Sequence, residues 1–109
     1  MKSKGRPTKS LVRENIIDIL FQLKNATGYT ISKVYNSVFP KVTVRLIYYH
    51  LKKGVSLGIF KISEIKKEEG DFSWGHNVEK IYYELTDLSN PRINSEIKKF
   101  IESNNEKLV

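Results

Sequence analysis

The stretch that decides the fold is residues 42–54, Val-Thr-Val-Arg-Leu-Ile-Tyr-Tyr-His-Leu-Lys-Lys-Gly. Thr43 is suited to cap a helix, because its hydroxyl can accept a hydrogen bond from an unpaired backbone N–H of the first turn. Ile47 and Leu51 lie four residues apart and therefore share one helical face. Basic and aromatic residues occupy most of the remaining surface, at positions Arg45, Tyr48, Tyr49 and Lys52. The pattern predicts a helix with an apolar stripe beside a cationic, aromatic one.

The charge around this helix is one-sided. No acidic residue occurs from Pro40 to Ser63, whereas an ordinary surface helix mixes both signs. The whole chain of 109 residues carries a net charge of +7, with a sequence pI of about 9.6. Such a balance favours a polyanionic partner, nucleic acid first and an anionic membrane surface second. The helix is therefore expected to meet phosphates and bases.

Length and composition exclude several classes of protein. A chain of this size forms one domain with a modest core. The absence of cysteine excludes disulfides and thiolate zinc sites. No apolar run approaches the roughly 18–20 residues that span a bilayer, and the basic N-terminus lacks the apolar segment of a signal peptide. We expect a cytoplasmic, nucleoid-associated protein.

The residues before the opening stretch predict two further helices. Residues 10–24 have apolar side chains at helical spacing, with Ser10 or Thr8 as the cap and Gly28 in the left-handed conformation that ends helices. A short strand or an extended approach to the next helix is expected at residues 29–31. The second helix then starts at Thr30 or Ser32 and runs to about Val38, because Pro40 forces the preceding residue out of helical geometry. Helix, tight turn and cationic helix form a helix-turn-helix.

The residues after the opening stretch predict a β-hairpin. Residues 59–65 and 78–86 are rich in β-branched and aromatic side chains and are expected to pair antiparallel, with residues 66–77 as a long tip. Gly54 is expected either to cap the third helix or to allow another element to pack closely. The predicted fold class is α+β: a winged helix-turn-helix with a three-helix core, a two-stranded wing and a C-terminal helix.

Thr43 to Phe60, with its Tyr-Tyr-His-Leu-Lys-Lys followed by Leu-Gly-Ile-Phe, resembles the recognition helix and strand entry of winged helix-turn-helix regulators. The likeness is greatest to PadR- and MarR-like proteins and small archaeal winged-helix proteins, and the order of elements covers residues 10–86. It implies a transcriptional regulator that places helix 43–53 in the major groove. Two features depart from the pattern. Gly54 stands where a large apolar residue is usual, and the wing carries acidic residues, namely Glu68, Glu69 and Asp71 beside Lys66 and Lys67.

The chain divides into a basic N-terminal arm at residues 1–9, a winged-helix domain at 10–86 and a C-terminal helix or tail at 87–109. Within the arm, residues 4–7, Lys-Gly-Arg-Pro, resemble the core of AT-hooks, which lie in a narrow A·T minor groove. A nonspecific basic tail is the alternative. In the last segment one apolar stripe comprises Ile93, Ile97, Phe100 and Ile101, and it either closes the domain's own core or forms a dimer. We expect a homodimer held largely by this C-terminal helix.

The candidate DNA contacts are cationic or hydroxyl-bearing residues. Arg45 is the leading candidate for base reading, because its planar fork matches guanine O6 and N7; a phosphate contact is the alternative. Tyr49 is expected to be more exposed than Tyr48, which can be shared with the core. The full predicted set is Lys4, Arg6, Lys9, Lys41, Thr43, Arg45, Tyr48, Tyr49, Lys52, Lys53, Lys66 and Lys67.

The sequence gives less support to catalysis, metal binding and other kinds of interaction. No nucleophile–base pair or glycine-rich phosphate loop is suggested, so we expect a binding protein without a cofactor rather than an enzyme. His50 and His76 lie on separate predicted elements, which disfavours a metal site; His50 instead packs at the core edge or hydrogen-bonds a phosphate. Phe72 and Trp74 either cover the sheet or anchor a contact. A winged-helix RNA-binding or ribosome-associated protein, and a protein-interaction module using residues 68–76, remain alternatives.

Overall fold

The computed structural model describes residues 10–72 and 75–104, with side chains for residues 10–66 and 80–104. It contains four helices and one antiparallel sheet of three strands, so the α+β winged-helix prediction is confirmed. In chain order the elements are α1 Leu11–Leu23, β1 Asn25–Thr27, α2 Gly28–Val38, α3 Val44–Ser56, β2 Phe60–Phe72, β3 Gly75–Leu85 and α4 Ser95–Ser103.

Helix α1 is central to the core, and Ser10 caps it as predicted. Ile16, Ile19 and Leu20 are fully buried against the other elements. The helix ends at Lys24, which adopts the left-handed φ of +76°, so the prediction that Gly28 ends it was wrong. The reversal must come at Lys24, because strand β1 begins at the next residue.

Strand β1 is the element that the sequence pattern placed wrongly. It lies at Asn25–Thr27 rather than at residues 29–31, which belong to α2. Ala26 pairs with Tyr83, so the sheet has the order β1-β3-β2 and three strands instead of two. The cap of α2 is Thr27, whose hydroxyl accepts from the Thr30 backbone N–H at 3.2 Å, and not Thr30 or Ser32.

The helix-turn-helix forms where it was expected. Helix α2 ends at Val38, two residues before Pro40, and Thr43 caps α3 by accepting from the Leu46 N–H at 3.1 Å. The turn between them is tied to α2, because the Asn36 side-chain oxygen accepts from the Val42 N–H at 2.8 Å. Ile47 and Leu51 are fully buried, which fixes how α3 faces the core.

Gly54 lies inside α3, which continues to Ser56. A β-carbon at Gly54 would collide with the Phe60 ring, where two ring carbons already occupy the space. Phe60 is itself buried in the core. Gly54 is therefore a point of close packing, not a helix cap, and Phe60 supplies the apolar bulk at this position.

The wing is a long hairpin formed by β2 and β3. The pairing runs from Phe60 opposite Leu85 to Phe72 opposite Gly75, so residues 66–72 and 75–77, predicted as a tip beyond the strands, belong to the strands themselves. Backbone hydrogen bonds continue the ladder although the local sequence is strongly polar. The register shifts between Ile62 and Glu64, which is a bulge in β2.

Helix α4 closes the domain's own core. Ile97 is fully buried, and Phe100 and Ile101 pack against the core from the edge. Ile93 precedes the helix and is 74% exposed, so its assignment to the same stripe was wrong. The linker before α4 is held by Asp18, whose carboxylate accepts from the Arg92 N–H at 2.9 Å. None of the helices described here is long and apolar enough to cross a membrane.

Candidate nucleic-acid interface

The outer face of α3 carries the candidate contacts. Burial of Ile47 and Leu51 turns the opposite side of the helix to solvent, and Arg45, Lys52 and Lys53 are all exposed there. Lys41 is exposed in the turn before the helix. Thr43 is exposed but its hydroxyl is used as the cap. The structure thus brings together the central part of the predicted set on one surface.

This surface is unopposed by carboxylates from its own part of the chain. No Asp or Glu occurs between residues 19 and 63, which include α2, α3 and the start of β2. The same segment contains the cations Lys24, Lys33, Lys41, Arg45, Lys52, Lys53 and Lys61. Fixed charges of one sign create a local potential that attracts a polyanion over several ångströms.

Tyr48 and Tyr49 have different roles. Tyr49 is 55% exposed and Tyr48 43%, in the predicted order. The Tyr48 ring lies over Gly28 at the start of α2, where a β-carbon would come within 2.6 Å of its Cζ atom. Burial and, secondarily, neighbouring Tyr48 raise the pKa of Tyr83 on β3. Tyr48 therefore sits where α3, α2 and the sheet meet, and Tyr49 is the freer of the two.

His50 lies on the inner side of α3 and not among the exposed contacts. It is buried, its ring meets Tyr49 edge-on with centroids 5.0 Å apart, and its Nδ1 has no hydrogen-bond partner among the described residues. Burial, and then the positive charge of Arg13, lower the pKa of His50 below its usual value of 6.5. Of the two positions expected for His50, packing at the edge of the core is the one that the structure shows.

The lowered pKa of His50 predicts acid sensitivity. The unfolded chain binds a proton at this side chain near pH 6.5, while the folded chain resists it. Stability should therefore fall as the pH drops from about 7.5 to about 5.5. Thermal melting of the wild type and of His50→Asn across this range measures the effect. The variant should lose less stability than the wild type, and equal slopes would contradict the assignment.

The wing offers fewer free cations than its sequence suggests. Lys66 is exposed, but its amino group lies 3.9 Å from Glu64 and over the Tyr82 ring at 5.0 Å. Lys61 pairs with Glu84 at 3.4 Å. The remaining predicted positions lie outside the described residues or side chains, namely Lys4, Arg6, Lys9, Lys67, Phe72, Trp74 and His76.

Arg13 is the residue that the sequence reasoning missed. Only 9% of it is exposed, although arginine on a first helical turn is usually a surface residue. A signal was present, since Ile16, Ile17 and Leu20 follow at spacings of three, four and seven and mark this face of α1 as inward. In the part of the chain with described side chains, no group of His, Cys, Asp and Glu could hold a metal ion.

Two solved structures share this architecture. A PadR family transcription regulator from Clostridium difficile matches with a TM-score of 0.53 and 23% identity, over 90% of this chain and 86% of that one. This chain has the fold of the PadR-type winged-helix proteins. Bacillus subtilis PadR, solved in complex with operator DNA, matches with a TM-score of 0.52 and 21% identity. That match covers 94% of this chain and 64% of the longer PadR chain.

No protein-family model and no curated protein matches the sequence. The likeness to PadR-type proteins that residues 43–60 predicted is confirmed by the two structural matches, through the three-dimensional arrangement of the elements.

Proposed function

We propose that this protein is a transcriptional regulator that binds double-stranded DNA by placing α3 in the major groove. The observation that carries this proposal is the exposed face of Arg45, Tyr49, Lys52 and Lys53 within a segment free of carboxylates. A solved protein of the same fold is bound to operator DNA, which supports the same kind of partner. The proposed activity is binding and involves no catalysis.

The geometry of each side chain on and before α3 suits it to a different contact with DNA. Arg45 lies at the start of α3, and the N-terminal part of a recognition helix is the part that meets base edges. Its guanidinium can pair with guanine or hold a phosphate. Lys41, Lys52 and Lys53 carry flexible point charges suited to phosphate oxygens. Tyr48 packs on Gly28, so its ring is partly engaged by α2 and less available to DNA than that of Tyr49.

An exposed helix favours DNA over double-stranded RNA. The major groove of B-DNA is about 12 Å wide and admits an α-helix, whereas the deep, narrow major groove of RNA does not. Selection from a mixed pool of genomic DNA fragments and cellular RNA, followed by sequencing, tests the proposal. Discrete, recurring DNA sites are expected. Enrichment of RNA without recurring DNA sites would contradict it.

The basic arm at residues 1–9 is proposed to add affinity through an adjacent minor groove. Its deletion should weaken binding, with a larger loss on A·T-rich flanks if Arg6 follows the narrow groove. Gel-shift titration of the full and shortened chains on paired A·T-rich and G·C-rich probes measures this. Equal losses on both probes would leave only a nonspecific phosphate contact.

We also propose a homodimer, acting in the cytoplasm on the nucleoid. One chain presents one recognition helix, and two copies related by a two-fold axis would read half-sites roughly 34–36 Å apart. The stripe around Ile97 is already used by the chain's own core, so Ile97→Asp would unfold the protein and is no test of assembly. Analytical ultracentrifugation at tens of micromolar should show a dimer. A monomer both free and on DNA would rule the dimer out.

A further inference from the structure

A cleft of about 610 Å³ is lined by residues that do not include the candidate DNA contacts of α3. It lies between the first turns of α1, the junction of α3 with β2, and the linker that leads to α4. Leu57 and Ile59 line it at the junction, and Leu88, Ser89 and Arg92 line it from the linker. This volume is within the range of small-molecule sites in proteins.

The cleft contains a largely buried arginine whose Nε has no hydrogen-bond partner among the described residues. Arg13 lines it and is nine-tenths buried, and its Nε has neither solvent access nor a hydrogen-bond partner. Among the described residues, no hydrogen bond or ion pair engages its guanidinium. Burying an unpaired cation is costly, so a buried arginine normally has an anionic acceptor.

The neighbouring carboxylates do not serve Arg13. Glu14 and Asp18 both pair with Arg92, at 3.5 Å and 3.7 Å, and Asp18 also accepts from the Arg92 backbone N–H. The positive charge of Arg13 instead acts on His50, whose pKa it helps to lower. The acceptor that would satisfy Arg13 is thus absent from the described chain.

The rest of the cleft indicates what kind of ligand it would fit. Ile17, Leu57, Ile59 and Leu88 form an apolar wall, and no aromatic residue lines the cleft. Leu88 is 71% exposed although it lies beside this wall. A carboxylate on a short hydrocarbon chain satisfies both features, since the chain would cover the leucines.

We propose that this cleft binds a small aliphatic carboxylate, with its oxygens accepting hydrogen bonds from Arg13 and its hydrocarbon chain against Leu57 and Leu88. Guanidinium and carboxylate are geometrically matched, and the pair is charge-assisted. The lining residues include none of the candidate DNA contacts, so the proposed site does not depend on the proposed function.

Calorimetric titration of the full chain with sodium octanoate, without DNA, tests the proposal. Octanoate should bind, and octanamide, which has the same chain but no charge, should bind at least tenfold more weakly. Arg13→Gln should weaken octanoate binding at least tenfold, while Lys99→Gln, an equal charge change on the exposed face of α4, should leave it unchanged. No binding of octanoate by the folded protein, or equal binding by Arg13→Gln, would overturn the proposal.

A second pair of variants keeps the test decisive if Arg13→Gln does not fold. Leu88 and Leu11 are both 71% exposed, but only Leu88 lines the cleft. Leu88→Ser should weaken octanoate binding severalfold and Leu11→Ser should not. Equal affinities in the two variants would overturn the assignment of the cleft.

Discussion

Replacing Arg45 and Lys52 together with alanine should weaken DNA binding about a hundredfold or more without unfolding the protein. Both side chains are exposed on α3 and neither supports the core. A lost bidentate base contact costs about 1–3 kcal/mol, and each lost phosphate contact also lowers the salt slope by about 0.9. Fluorescence anisotropy with a selected DNA site, at several salt concentrations, measures both effects.

The matched control is Lys98→Ala with Lys99→Ala, since these exposed cations lie on α4 and not on α3. That variant lowers the net charge equally and should retain most of the affinity. The proposed interface is wrong if the α3 variant melts normally and binds DNA as well as this control.

Gly54→Ala is expected to destabilise the fold by about 2 kcal/mol, although alanine is the better helix former by about 1 kcal/mol. The reason is the Phe60 ring, which occupies the position of the new methyl group and is itself buried in the core. For a domain of this size the melting temperature should fall by about 10 °C. Thermal denaturation followed by circular dichroism measures it.

Two further variants isolate the contact with Phe60. Gly54→Ala combined with Phe60→Leu should be more stable than Gly54→Ala alone, because the smaller side chain leaves room for the methyl group. Gly28→Ala should cost less, since its β-carbon meets Tyr48, whose ring is partly exposed and can move. A rise in melting temperature for Gly54→Ala would show that the close packing is misassigned.

The helices were predictable because burial imposes a period on the sequence. Ile16 and Leu20, and Ile47 and Leu51, recur at helical spacing and are buried as that spacing requires. The same spacing predicted that the cations of α3 would be exposed, as they are. Strand β1 has no comparable signal, since three residues are too few for an alternation and its pairing depends on β3 far along the chain.

The length of the wing and the buried state of Arg13 were missed for different reasons. Residues 66–72 continue β2 through backbone pairing, but their mostly polar side chains lack the alternation of a strand, and they were assigned to the tip. The cleft beside Arg13 is assembled from α1, the α3–β2 junction and the linker before α4, which lie far apart in sequence. A local sequence pattern therefore could not predict that these three segments form a cleft.

The pairing of β1 with β3 has a consequence for how the protein folds. Asn25 and Glu84 are about 60 positions apart in the chain, so this pairing closes a long loop late, whereas α2 and α3 join neighbouring residues. On the ribosome, α2 and α3 emerge together while β1 still lacks its partner strand β3. Helix α3 therefore packs against a complete sheet only after the whole wing has been synthesised and β3 has returned to pair with β1, just before α2.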